Sequence, residues 1–257
     1  MTDPLASGTP LVIAAHGTRD EAGVAECRAL AERVARKLPG IPVELGFVEL
    51  AEPGIPEAVR AAVAQAPDNP EGADGDEEAA AVVVPLMFNT GGHVREDIPE
   101  AIDEGRGDAR VMYSAPLLPD VRMRKALNHR LTETLAAGEG REEWRPRDTS
   151  AVLVGRGALV PDANASHYTL TRMFWEENDL SRVEPAFIQV TRPSVPEALS
   201  ALAAQGADQI VVQGNFLFPG LLHVWMTEQV EAWQASHPGV ASLPGLHPVS
   251  YTHLRAH

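Results

Sequence analysis

The chain has 257 residues, and its 21 lysines and arginines against 36 aspartates and glutamates give a formal net charge of −15. A surface this acidic repels polyanions at long range, which argues against binding DNA or RNA through neutralisation of phosphates. An apolar share of 44% with 22% charged residues is ordinary for a folded globular protein and excludes disorder throughout. The length allows one large domain or two of roughly 100–150 residues.

Targeting signals and cysteines narrow the class of protein further. No stretch approaches the ~20 apolar residues that a membrane-spanning helix needs. The first ten residues, MTDPLASGTP, lack the basic start and apolar core of a signal peptide, so we expect a cytoplasmic protein with no membrane partner. Cys27 is the only cysteine, which excludes an internal disulfide, a CxxC redox pair and an iron–sulfur cluster ligated by cysteines of one chain. A bound metal would need His, Asp or Glu ligands.

Short apolar runs alternate with helical patterns along the first half. Residues 11–15 form an apolar run that ends at His16 and Gly17, which predicts a buried strand and a tight turn. Apolar residues then recur every three or four positions over about 22–38, which predicts an amphipathic helix with Cys27 on its buried face. The patterns predict four further elements: a strand over 43–50, a helix over 53–64, a strand over 79–88 and a helix over 94–102. This alternation indicates a parallel sheet covered by helices on both faces.

Two polar segments interrupt the alternation. Residues 67–78 carry six acidic residues and no basic one, a composition typical of a solvated loop. Residues 138–150, GEGREEWRPRDTS, are polar and contain proline, which predicts a linker. We therefore predict an N-terminal domain over 1–140, a second domain over 150–248, and a tail over 249–257 that is disordered or a remnant.

The second half repeats the pattern of the first. The strand-turn sequence AVLVGRG at 151–157 parallels LVIAAHG at 11–17, and IVVQGNFLFPGLLHVW at 210–225 parallels VVVPLMFNTGGHVR at 82–95. Self-similarity at a fixed spacing indicates an internal repeat. The fold class is therefore predicted to be α/β, with two tandem units that are each a parallel sheet flanked by helices.

Three side chains that can bind a metal follow the strands of the first half. His16 stands at the end of the first strand, Glu49 near the end of the second, and His93 in the loop after the third. In an open parallel sheet, side chains just past the carboxyl ends of the strands point into a shared crevice. Two imidazoles and a carboxylate suit a borderline divalent ion such as Fe²⁺, Co²⁺, Ni²⁺ or Zn²⁺ and leave coordination positions open. The spacing matches no local metal motif such as HExxH, so purely structural roles for these residues stay open at this point.

Three motif blocks carry a family resemblance. HGTRDEAGVAE at 16–26, FVELAEPGIPEAV at 47–59 and VPLMFNTGGHVREDIPEAI at 84–102 resemble the motifs of the class II chelatases of the CbiX and SirB type, which act on sirohydrochlorin. The second half is similar to the degenerate repeat of the long, two-domain members. The resemblance implies a chelatase fold in each half and a cleft for a tetrapyrrole. It also implies ATP-independent insertion of Fe²⁺ on the siroheme route or Co²⁺ on the cobalamin route.

The resemblance further implies roles for individual residues. The family's metal-binding and proton-accepting histidines correspond to His16 and His93, and its cleft carboxylate corresponds to Glu49. Insertion displaces two pyrrole protons, and imidazole suits this chemistry because it is both a metal ligand and a base near neutrality. Gly91 and Gly92 either let the backbone approach a flat ligand closely or simply form a turn.

Arginines near these residues are candidates for binding the peripheral carboxylates of the substrate. Arg19 and Arg95 flank the two histidines, and a guanidinium pairs with a carboxylate in a bidentate manner. Either is equally well an ordinary surface arginine. In the second half, Arg156, Gln189 and His223 occupy the positions of the metal-binding set, so this half is not expected to hold a metal in the same way. We expect it to close the far wall of the cleft, with Arg156 contacting substrate carboxylates.

Two functions of different classes remain open. The first is a chelatase that turns over many times, and the second is a non-catalytic carrier that binds metal or tetrapyrrole in the same crevice. No tightly bound cofactor is expected, because the metal ion is a substrate. The GRG at 155–157 does not continue to a dinucleotide-binding GxGxxG, since Val160 occupies the position of the last glycine. One chain would supply both walls of the cleft, which favours a monomer.

Overall fold

The computed structural model describes residues 8–67, 79–88, 90–138, 144–218 and 220–245. By its contacts the chain divides into two compact units, Met1–Leu117 and Leu118–His257, which are described separately. The predicted acidic loop lies almost wholly outside the described residues, as do the predicted tail over 249–257 and residues 139–143 of the predicted linker. No helix in the described part is both long and apolar enough to cross a bilayer.

The first unit is a four-stranded parallel sheet with helices on both faces. Its strands are β1 (Leu11–Ala15), β2 (Val43–Phe47), β3 (Ala81–Pro85) and β4 (Val111–Tyr113). Its helices are α1 (Glu21–Lys37), α2 (Ile55–Ala64) and α3 (Ile98–Arg106), the last preceded by one π-helical turn over His93–Asp97. The strand order is β2-β1-β3-β4. In sheets of this order the crossovers change direction between β1 and β3, and ligands bind in the crevice at that point.

Side chains of β1 alternate between the two faces of the first sheet. Leu11 and Ile13 pack in one core with Ala31 of α1. Val12 and Ala14 pack in the other core, which α2 and α3 cover. Both faces of the strand are therefore buried, as its unbroken apolar sequence predicts.

Helix α1 forms as its sequence pattern predicts. The side chain of Asp20 caps it by accepting a hydrogen bond from the Ala22 amide at 3.1 Å, and Lys37 ends it with a favourable charge for the helix dipole. Cys27 lies on the buried face, which confirms that part of the prediction. Burial raises the pKa of the Cys27 thiol to about 11, so this cysteine is an inert core residue.

The second unit has the same architecture. Its strands are β5 (Ser150–Gly155), β6 (Arg182–Phe187), β7 (Gln209–Gly214) and β8 (Ala241–Pro244), all parallel and in the order β6-β5-β7-β8. Its helices are α4 (Val121–Ala137), α5 (Pro161–Glu177), α6 (Val195–Ala204) and α7 (Leu221–Ser236). The two tandem units, each a parallel sheet flanked by helices, confirm the predicted fold class.

Backbone details also recur between the units at an offset of 140 residues. Gly17 and Gly157 both have positive φ, at 92° and 89°. Leu50 and Val190 are the non-glycine residues of the described chain with positive φ, at 64° and 71°. The turn after the first strand and the loop after the second strand are therefore repeated features of the unit.

Four parts of the first 137 residues differ from their sequence-based assignments, one of them the strand predicted over 79–88, which spans only Ala81–Pro85. The predicted strand over 43–50 ends at Phe47, because the left-handed Leu50 turns the chain out of the sheet. The predicted helix over 94–102 begins with the π-helical turn, which hydrophobic periodicity does not reveal. No element was predicted over 103–137, where β4 has only three residues and α4 buries polar side chains such as Arg130 and Thr134, which blur its apolar stripe.

Candidate metal centre

His16, Glu49 and His93 meet at the carboxyl edge of the first sheet, where the sequence predicts them to converge. Each offers one potential ligand atom, and these atoms lie within 4.8 Å of one another. Nδ1 of His16 is 3.8 Å from Oε1 of Glu49. The rings of His16 and His93 meet edge to face, with centroids 4.6 Å apart. Within the residues that the structure describes, this is the one group of three or more such side chains that could share a metal ion.

The three side chains are accessible from solvent. The exposed fractions are 35% for His16, 49% for Glu49 and 33% for His93. Half-buried imidazoles keep a lone pair available to an incoming ion without the full desolvation cost of a buried charge. The arrangement therefore suits an ion that enters and leaves, and differs from a closed structural metal site.

Backbone hydrogen bonds hold the exits of β1 and β2 together beyond the sheet. The Val48 amide donates to the Ala15 carbonyl at 2.9 Å, and the Glu49 amide donates to the His16 carbonyl at 3.1 Å. Gly17 follows so closely that a Cβ atom there would lie 1.8 Å from the Glu49 carbonyl oxygen. The chain therefore fixes His16 and Glu49 as neighbours through their main chains, and a glycine is required beside them.

The orientation of the His16 ring has a local cause. Its Nδ1 lies 3.1 Å from the carbonyl oxygen of Gly17, which can only accept, so Nδ1 carries the proton in this contact. That tautomer leaves the lone pair on Nε2.

His93 opens the π-helical turn that follows β3. The Ile98 amide donates to the His93 carbonyl, which closes the wide turn, and Nδ1 of His93 lies 2.5 Å from Oδ2 of Asp97. Asp97 was not among the residues predicted for the site. Its signal in the sequence is a carboxylate four residues after a candidate ligand, which places both side chains on one side of the turn.

A family comparison bears directly on this cluster. The CbiX family model matches residues 10–134 and 150–248, which include all three side chains and both units. The chain belongs to the CbiX family. This confirms the resemblance seen in the three motif blocks.

Individual CbiX-family relatives agree with this membership. A sirohydrochlorin cobaltochelatase of Priestia megaterium is 30% identical over 222 residues, which span 84% of this chain and 68% of the relative. A sirohydrochlorin ferrochelatase of Bacillus subtilis is 27% identical over 239 residues, 91% of this chain and 84% of the relative. The solved structure of SirB from Bacillus subtilis with Fe³⁺ superposes with a TM-score of 0.77 at 25% identity, over 96% of this chain and 90% of that one.

The glycines of this CbiX-family motif have no structural requirement among the described residues. A Cβ atom at Gly91 or Gly92 would meet no described atom within 4 Å, and neither residue has positive φ. The turn itself therefore does not explain them. Arg19 and Arg95 are exposed beside this edge, and Arg19 lines a groove of about 600 Å³ between the start of α1 and residues 50–52.

The second unit keeps the scaffold of the site without its donor set. The Gln189 amide donates to the Arg156 carbonyl at 3.2 Å, as Glu49 does to His16 in the first unit. Arg156 is exposed, and His223 lies on α7, where burial lowers the pKa of its imidazole. With an arginine and an amide in place of an imidazole and a carboxylate, this edge offers a metal ion one good ligand.

Proposed function

We propose that this CbiX-family chain inserts a divalent metal ion, Fe²⁺ or Co²⁺, into sirohydrochlorin without ATP. The convergence of two imidazoles and a carboxylate at an accessible sheet edge carries the proposal. The relatives supply the substrate, because both the cobaltochelatase and the ferrochelatase are named for sirohydrochlorin. Their identities to this chain, 30% and 27%, are too similar to favour either metal.

In this proposal His16, His93 and Glu49 hold the incoming ion. The His16 ring presents Nε2, because Nδ1 is engaged with the Gly17 carbonyl. Two nitrogen ligands and one oxygen ligand suit both Fe²⁺ and Co²⁺. Three protein ligands leave the remaining positions to the pyrrole nitrogens, so the ion can pass to the macrocycle without first being released to water.

The same side chains also deal with the protons of the reaction. The free macrocycle loses two pyrrole N–H protons as the divalent ion takes their place, so charge is conserved between macrocycle, metal and released protons. An imidazole that has given up the metal has a free lone pair and can accept one of these protons. Glu49, half exposed and 3.8 Å from His16, can pass a proton on to solvent.

Arginines and glycines around the cluster orient the substrate in this proposal. Arg19, Arg95 and Arg156 bind peripheral carboxylates, since the net charge of −15 repels a polyanionic substrate overall and attraction must be local. Gly91 and Gly92 leave the space that a flat macrocycle needs to approach the ion. Among the described residues, no steric contact requires a glycine at either position.

The test is an anaerobic absorbance assay of sirohydrochlorin with Co²⁺ or Fe²⁺. We expect wild-type protein to accelerate insertion over many turnovers and His16→Ala to lose the acceleration. His129→Ala, which removes an exposed histidine of α4, is the matched control and should keep full activity. Binding without turnover would support a carrier and overturn the proposal, as would equal rates with wild type, His16→Ala and no protein.

Three expectations from the sequence stay predictions alongside this function. These are the cytoplasmic location, the monomeric state, and the role of the second domain as a wall of the cleft. Size-exclusion chromatography with light scattering tests the second of them at working protein concentrations. Monomer mass would agree with a cleft built by one chain.

A further inference from the structure

His93 and Asp97 form a close pair at the rim of the candidate metal centre. Nδ1 of His93 and Oδ2 of Asp97 are 2.5 Å apart, a distance at which the ring N–H donates to the carboxylate. The pair is one third exposed at His93 and half exposed at Asp97. The Asp97 side chain makes no capping hydrogen bond to α3, so capping does not explain a carboxylate at this position.

Buried side chains and a hydrogen bond from β4 anchor the turn that carries this pair. Val94 and Ile98 are buried in the first unit, and the Tyr113 hydroxyl donates to the Val94 carbonyl at 2.9 Å. Burial raises the pKa of Tyr113 to about 12, so its phenol stays a neutral donor at physiological pH. The backbone between His93 and Asp97 is therefore fixed, and the two side chains contact each other without any rearrangement of the chain.

The repeat provides an internal comparison. In the second unit, His223 occupies the position of His93, and the residue four places on is Thr227. The Thr227 hydroxyl donates to the His223 carbonyl, a bond internal to helix α7. His93, in the unit with all three potential ligands, thus has a carboxylate partner four residues on. His223, in the other unit, has Thr227 at that place, whose hydroxyl bonds to the helix backbone instead.

We propose that Asp97 is a positioning residue for metal insertion, which fixes the tautomer and the orientation of the His93 ring. With its proton on Nδ1 and directed at Asp97, the ring keeps its lone pair on Nε2, which is then the nitrogen available to an ion shared with His16 and Glu49. Carboxylates that accept the second N–H of a metal-binding histidine do this in many metal sites and raise the basicity of the ligand nitrogen. The inference rests on the proposed function, since it takes His93 as a ligand of the incoming ion.

The first test needs no metal. Protein labelled with ¹⁵N at histidine reports by long-range proton–nitrogen correlation which ring nitrogen carries the proton. At mildly alkaline pH we expect wild-type His93 to be protonated at Nδ1, and Asp97→Ala to shift the ring mainly to the Nε2–H form. A structural role alone would leave the tautomer unchanged, so an Nε2–H ring in the wild type, or the same tautomer in both proteins, overturns the inference.

The second test measures Co²⁺ affinity by titration of its visible absorbance. We expect Asp97→Ala to weaken binding about 10–100-fold, the usual effect of removing such a carboxylate. Asp103→Ala is the matched control, because Asp103 pairs with Arg106 on the same helix, outside the cluster, and should leave the affinity unchanged. Thermal unfolding of each variant reports whether the fold is intact.

A third variant separates failure of this inference from failure of the proposed function. If His93→Ala leaves Co²⁺ binding unchanged, the proposed metal site is wrong and the role of Asp97 falls with it. If His93→Ala weakens binding while Asp97→Ala does not, the site stands and only the positioning role is overturned.

Discussion

Gly17 lies directly against the backbone of Glu49, and a Cβ atom at position 17 would be 1.8 Å from the Glu49 carbonyl oxygen. The φ of Gly17 is +92°, which an L side chain rarely adopts. The turn that carries His16 and the loop that carries Glu49 are therefore interlocked. In the second unit, a Cβ atom at position 157 would likewise be 2.1 Å from the Gln189 carbonyl oxygen.

This pair of glycines gives a matched experiment. We expect Gly17→Ala and Gly157→Ala each to lower the free energy of unfolding by about 1–3 kcal/mol, because each adds backbone strain and a steric clash. Only Gly17→Ala should also weaken Co²⁺ binding, since it displaces Glu49 from His16. Denaturant unfolding and Co²⁺ titration measure the two effects.

Gly40→Ala separates strain from clash in this experiment. Gly40 has a similar φ of +87°, and a Cβ there would meet nothing within 4 Å among the described atoms. It should destabilise less than either of the other two and leave metal affinity intact. Equal losses of metal affinity in Gly17→Ala and Gly157→Ala would show that the interlock does not act on the site.

The Glu49 carboxylate is expected to contribute charge as well as an oxygen. Glu49→Gln keeps the shape and copies the residue found at the equivalent position 189. We expect Co²⁺ affinity to fall roughly tenfold or more, which corresponds to about 1.4 kcal/mol. Glu52→Gln, in the same loop but outside the cluster, is the control and should bind Co²⁺ normally; an unaffected Glu49→Gln would remove Glu49 from the ligand set.

The arginine assignments predict an effect on binding of substrate without an effect on chemistry. Arg19→Ala and Arg95→Ala should each raise KM for sirohydrochlorin by about 10- to 150-fold, with kcat nearly unchanged, since a lost charge-assisted hydrogen bond costs about 1.5–3 kcal/mol. Arg36→Ala, at the exposed far end of α1, serves as the control. A fall in kcat at constant KM would mean that the arginine acts in the chemical step.

His167 makes the stability of the second unit depend on pH. It occupies the position of Cys27, is fully enclosed beside Phe187, and donates from Nε2 to the Leu153 carbonyl at 3.1 Å. Burial lowers the pKa of His167 to about 4 against the effect of that carbonyl. The neutral ring therefore stabilises the fold fully above about pH 6.5, and this contribution is lost as the pH falls toward 4, because the unfolded chain binds the proton first.

The measurement is denaturant unfolding of wild type and His167→Cys, which copies the first unit. Between pH 7 and pH 5 we expect the wild type to lose about 2 kcal/mol more than the variant. The variant is expected to be less stable at pH 7 because it leaves a cavity, but its stability should vary less with pH. Parallel pH profiles would contradict a neutral buried His167.

Much of this site is predictable from the sequence because each candidate ligand follows the end of a strand. A short apolar run fixes where β1 stops, and the next residue, His16, must then lie at the carboxyl edge of a parallel sheet. The same reasoning places Glu49 and His93, and the motif blocks identify the family. Convergence of residues 33 and 44 positions apart was therefore predictable without a structure.

The remaining features depend on backbone geometry that periodicity does not encode. A π-helical turn and an α-helix share nearly the same apolar spacing over five residues, so the pairing of His93 with Asp97 appears only in three dimensions. Gly17 reads as an ordinary turn glycine, whereas its requirement comes from a loop 32 positions later. Helix α4 was missed because its buried face includes the polar residues Arg130 and Thr134.

In the proposed reaction, His16, Glu49 and His93 together hold the metal ion that is inserted. Anomalous diffraction at the cobalt edge, from crystals grown with Co²⁺, locates the bound ion. We expect one strong peak at the edge of the first sheet, about 2.0–2.2 Å from an imidazole nitrogen of each histidine and a carboxylate oxygen of Glu49. A peak elsewhere on the protein, or no cobalt at these three side chains at saturating Co²⁺, would exclude this ligand set.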